Sequence, residues 1–156
     1  MKIQIALPIA LLMVGAMASS SAAELPTQKP GLWQMTVKNT RMPGGARSFQ
    51  ICEDAAFIAA AKASADAHIK NDCSSKSSLR KVGDTWISDS DCTFSGMHIV
   101  SHGVTTIHGD DLYHTEATST VDSPRGGKVA DVMTMDNKWL GACKPGQKVG
   151  VPAVGR

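Results

Sequence analysis

The amino-acid sequence predicts an α+β domain, mainly antiparallel β: a curved sheet or partly open up-and-down barrel with one short helix packed on it and two disulfides. Three observations predict it. Segments of alternating apolar and polar residues recur between glycine- and proline-rich breaks, the period-two pattern of half-buried strands. One alanine-rich stretch, 53–69, changes to helical spacing, and alanine is the best helix former. Four cysteines, Cys52, Cys73, Cys92 and Cys143, all follow an apolar leader, and an even set in an exported chain reads as two bridges.

The leader sets the expected compartment. Lys2 precedes an uncharged run from Ile3 to Ala18, and small residues lead to Ser21 and Ala23 before Glu24. That charged, apolar, small-residue order is a secretory signal peptide over 1–23, cleaved near Ala23. Pro8 interrupts the run and no basic stop-transfer flank follows, so contact with a membrane is expected only through the cleaved leader. Removing 23 residues from 156 leaves 133, enough for one modest core. The expected layout is a single disulfide-bonded β-rich domain over 24–143 and a flexible, basic tail over 144–156, with two prolines, three glycines and no acid. Lys and Arg number 16 against 14 Asp and Glu, a near-neutral balance that gives no reason to invoke nucleic acid.

Each element has a local reason. Along 32–40, Trp33, Met35 and Val37 share one face against Gln34, Thr36 and Lys38. Pro43 and Gly44-Gly45 make a turn, and 47–52 returns with Phe49 and Ile51 on one face. Glu53 and Asp54 suit the first turn of the helix, where the macrodipole favours acids. Phe57, Ala61, Ala65 and Ile69 then form one stripe four residues apart. A second hairpin spans 77–94 around Val82-Gly83-Asp84. If Leu79 faces Trp86, the same register sets Cys73 opposite Cys92 on one sheet face. A Cys73–Cys92 bridge is then the first choice, which leaves Cys52–Cys143. Three Thr- and Val-rich strands within 97–135 and a last short strand, 137–143, complete the sheet.

The order of these pieces, "KPGLWQMTV", "MPGG", "CEDAA", "GDTWISDSDC", "GDDLYHTEATS", "VMTM" and "WLGACKPGQ", resembles the exported bacterial family called domain of unknown function 3617, over about Lys29 to Gln147. The chain departs from that family in lacking Thr-Pro before Glu53-Asp54 and in being richer in histidine. The resemblance implies an exported location and this fold. The family has no assigned role, so it implies no activity and no catalytic residue.

Chemistry-bearing residues are sparse. His98, His102, His108 and His114 fall close together in sequence, but His98 and His102 stand about 13 Å apart at strand rise. His108, His114 and Glu116 are the residues that could meet at a metal; a solvated polar sheet face is the preferred account of them, and no metal or other cofactor is expected. No serine sits in a strand–elbow–helix setting, Asp110-Asp111 suit a turn, and bridged cysteines are not nucleophiles. The expectation is no enzyme. Trp33, Trp86 and Trp139 lie in separate strands, as core anchors do, rather than as an exposed stacking platform. Two function classes remain: an interaction or envelope module acting on a protein partner in the periplasm, or a carrier for a small apolar ligand. Phe57, Ile69, Met133 and Met135 would line the carrier's pocket. The helix stripe separates the two, since sealing the sheet leaves no cavity and standing off it leaves one.

Overall fold

The computed structural model describes residues 23–74, 76–122 and 126–154; the expected leader lies almost wholly outside them. The strands are β1 (Gly31–Asn39), β2 (Arg47–Glu53), β3 (Ser78–Val82), β4 (Thr85–Phe94), β5 (Met97–His108), β6 (Leu112–Asp122), β7 (Lys128–Gly141) and the two-residue β8 (Ala153–Val154), with helix α1 (Ala55–Asp72) after β2. They form one open, curved antiparallel sheet in the order β3-β4-β5-β6-β7-β1-β2-β8.

Strand alternation separates two faces. The inner face carries the core: Trp33, Ile51, Trp86, Ile107 and Tyr113 are buried together, with Met35, Phe57, Leu79 and Trp139 packed against them. Trp33 is 1% exposed, with its ring edge-on to Tyr113 at 5.5 Å between centroids. The outer face carries His98, His102 and His114 beside Asp91, Asp122, Asp89 and Asp136. An antiparallel sheet with one wet face shows this alternation.

The cysteines are bonded as Cys52–Cys143 and Cys73–Cys92. The register that suggested the pairing is corrected. Leu79 pairs with Ser88, and Lys81 with Trp86, because Val82 belongs to the strand and only Gly83 and Asp84 form the turn; loop length sets hairpin register. Cys73 still opposes Cys92. The turn between Ser74 and Ser77, closed by Ser77 N–H to the Ser74 carbonyl at 3.1 Å, absorbs the two-residue difference.

The helix also departs from expectation. Its 18 residues nearly match the expected 53–69 stretch, but none of them is buried against the sheet. Glu53 ends β2, and Asp54 is the N-cap, its carboxylate accepting from Phe57 N–H at 2.7 Å. Cys73 is the C-cap residue. The two disulfides thus bracket α1, one just before its cap and one at its end. At about 27 Å long, α1 reaches from β2 to β4, five strand intervals or about 24 Å away. It is suspended by its ends. Phe57 packs on the core at one end, and His68 meets Phe94 at 5.9 Å between ring centroids at the other.

The C-terminal residues, expected as a loose tail, are seated through 154. Gly150 N–H donates to the Cys52 carbonyl at 2.9 Å, Val149 bridges to Cys52, and β8 pairs with Phe49 and Gln50. The edge of β2 offers unpaired backbone groups, and this Gly- and Pro-rich segment covers part of them.

Candidate ligand cavity

Residues 23–30 cross the same inner face as α1, and all three tryptophans hold them there. The indole N–H groups of Trp86, Trp33 and Trp139 donate to the carbonyls of Glu24 at 3.1 Å, Lys29 at 3.0 Å and Pro30 at 3.2 Å. Buried indoles require such partners. Lys29 closes the strap further, with its ammonium 3.9 Å from the Trp139 ring centroid and 2.9 Å from Asp110. Gly31 ends the strap at φ 148°, where an added Cβ would collide with Trp139 Nε1. Glycine is therefore required in the Pro-Gly-Leu-Trp stretch. Lys62 ties strap to helix, 2.9 Å from both Glu24 and Asp66.

Strap, helix and inner sheet face border an open-sided cavity of about 850 Å³. Its roof is Leu25, Pro26, Phe57, Ile58, Ala61, Ala65 and Ile69; its floor is Leu79, Thr105, Tyr113, Thr115, Met135 and Asn137. The helix stripe therefore faces open space. Of the four residues expected to line a pocket, Phe57, Ile69 and Met135 do so. Met133 shares the face of Met135 but pairs with Ala117 and Asn39 one row beyond and is not part of the lining.

Two polar groups on this wall stand out. Asn137 is 7% exposed, and its Oδ1 is buried without a hydrogen-bond partner among the described residues. Orphaned buried acceptors are rare and costly. Glu53 is held above the ordinary carboxylate range by burial alone. The Tyr113 hydroxyl is also raised, by burial first and by Asp110 second. Sequence reasoning missed Asn137. The signal was there: Met133, Met135, Asn137 and Trp139 point one way, and Asn is the polar member of that apolar row.

The histidines lie on the opposite face. His114 contacts Asp136 at 2.6 Å and Glu116 at 3.4 Å, and His98 contacts Asp91 at 2.7 Å and Asp122 at 3.0 Å. Their pKa values are raised, by Asp136 first for His114 and by Asp91 first for His98. His102 contacts Asp89 at 2.7 Å and lowers the pKa of that carboxyl. His108 sits across from Leu112 at the hairpin end. It does not join His114 and Glu116 in a metal cluster, and no group of three or more such ligands occurs among the described residues. A second cavity, about 350 Å³, opens on this side away from α1, lined by Asp89, Asp91, His102, Thr118 and Thr120 among others.

These features define a class: a small disulfide-braced antiparallel sheet with a helix and a strap held over its apolar face. Disulfides of this kind belong to an oxidising, extracytoplasmic setting, and no helix among the described residues is long and apolar enough to cross a membrane. The chain matches the family model described as "Protein of unknown function (DUF3617)" over residues 28–143, and it belongs to that family. No curated protein and no solved structure matches it.

Proposed function

We propose that this domain is an exported, non-enzymatic binding protein that shelters a small, largely apolar molecule between sheet and helix. The observation that carries this reading is the cavity itself. An 18-residue helix with no buried residue hangs over about 850 Å³ of space lined by Phe57, Ile58, Ile69 and Met135. Helices in small domains ordinarily bury an apolar stripe to gain stability. Here two covalent ties hold the helix where packing does not. The volume falls in the range of small-molecule sites, roughly 300–1,000 Å³. The apolar leader and the two disulfides support a periplasmic location. A purely surface-based interaction role is favoured less, since the outer-face histidines already pair with neighbouring carboxylates.

Native mass spectrometry of the mature protein, exported to a periplasm and measured before and after denaturing extraction, tests this. The expected result is a co-purified organic species released on denaturation, with a protein mass four hydrogens below the reduced chain. Bare protein that also takes up no added apolar ligand would contradict it.

A further inference from the structure

The polar groups on the cavity wall narrow the chemistry of the ligand, provided that the cavity binds one as proposed. The lining includes Glu24, Glu53, Lys62 and Asp66 as its charged residues. Among the described residues Lys62 is the one lining cation, and it is already shared between Glu24 and Asp66 at 2.9 Å each, so none of the described cations is left to receive an anionic head. A chain trimmed to begin at Glu24 gains an ammonium at the strap's end, and the lining still holds three carboxylates against two cations. Glu53 lacks a compensating charge; burial is what raises its pKa.

The second observation is independent of charge. Asn137 Oδ1 is a buried acceptor with no partner among the described residues, on a side chain 7% exposed that forms part of the floor. Its strand neighbours on that face, Tyr113 and Met35, leave the amide the polar centre of an apolar row. An orphaned oxygen calls for a donor, and the broad, two-fold χ2 of an amide allows either end to turn toward a guest on the floor. Glu53 pairs with Gly31 and Asn137 with Met35, about 13 Å apart along β1. Glu53 therefore acts on the same ligand head only through its field, and Asn137 acts by contact.

We propose that the cavity takes an uncharged or cationic amphiphile, with its apolar body under Phe57, Ile58 and Ile69 and a hydroxyl or amine donor seated on Asn137. Fatty-acid anions and phosphate-headed lipids are rejected. Their charge meets a lining of three carboxylates with no free cation among the described residues, and a carboxylate or phosphate diester supplies no donor for the orphaned Oδ1.

Competition against a neutral apolar fluorophore separates this proposal from the binding role on which it rests. Diphenylhexatriene, which has neither donor nor acceptor, is bound to the oxidised mature protein and displaced with decanol, decylamine, decanoate and decyl methyl ether. Decanol and decylamine should compete roughly tenfold better than decanoate and the ether. Asn137→Leu should bring decanol to the level of the ether while diphenylhexatriene still binds. Should that variant fail to fold, Glu53→Gln provides the readout: decylamine should lose ground to decanol, and decanol itself should compete as before. Decanoate competing as well as decanol overturns the ligand class and leaves the cavity reading standing. Failure of diphenylhexatriene and all four competitors to bind overturns both.

Discussion

Asn137 concentrates the tension between stability and use. A buried, unpaired amide oxygen costs roughly 1–3 kcal/mol, yet it sits among Met135, Tyr113 and Met35, where an apolar side chain would suit the floor. Asn137→Leu should therefore raise the stability of the ligand-free protein, by about 1 kcal/mol, while removing discrimination among ligand heads. Thermal unfolding of both proteins checks the first half. A loss of stability would mean that the amide is satisfied in solution. Gly31 shows the opposite economy. Its positive φ and its contact with Trp139 leave no room for a methyl, so Gly31→Ala should destabilise by more than about 1 kcal/mol and loosen the strap, seen as faster amide exchange in residues 24–30. The outer-face histidines set a pH dependence. His98 and His114 have folded pKa values raised above 6.5. Their contribution is complete below that value, while the partner carboxylates stay ionised, and fades as pH rises through the raised values. Replacing both with alanine should lower the melting temperature at about pH 6 and change it little at about pH 9.

At the scale of elements, α1 inverts the usual source of helix stability. Its alanines supply propensity, Asp54 caps it, and pairs such as Lys62–Asp66 brace its surface. Tertiary attachment comes mainly from its ends. Phe57 is only half-buried, so Phe57→Ala should cost about 2 kcal/mol, at the low end for core truncations. The two disulfides differ in reach, closing separations of 91 and 19 residues. On the chain-entropy account, losing Cys52–Cys143 should cost about 1.4 kcal/mol more than losing Cys73–Cys92. Equilibrium denaturation of paired Cys→Ser variants measures this. Equal losses would place the effect in native packing instead.

Across the whole molecule, most of the sheet was legible because strand alternation and Gly-rich turns are local signals. The inner faces of β1 and β2 followed from Trp33, Met35, Phe49 and Ile51, while the cysteine pairing came out right although the Leu79–Trp86 register behind it did not. The two-residue slip at Leu79 arose because a two- and a four-residue loop around Gly83-Asp84 look alike until pairing decides. The suspension of the helix off the sheet was not legible. Its stripe of Phe57, Ala61, Ala65 and Ile69 reads the same whether it meets a sheet or a cavity, and only the covalent ties at Cys52 and Cys73 explain how it stays off the sheet. The strap was hidden as well, since its attachment is backbone carbonyl to indole, over separations as long as 109 residues, and carries no side-chain pattern in residues 24–28. Asn137 could have been found by asking which inward position is polar.

The central claim is that the space under α1 is open and takes an apolar guest. The direct measurement is a fluorescence titration of diphenylhexatriene into the oxidised protein and into Ala61→Trp, whose indole would occupy the roof of the cavity. Saturable one-to-one binding by the parent, weakened roughly tenfold or more in a variant that still unfolds cooperatively, is the predicted result. Equal binding by both proteins would place the guest elsewhere, and binding by neither would mean the space under α1 is closed; either result would contradict it.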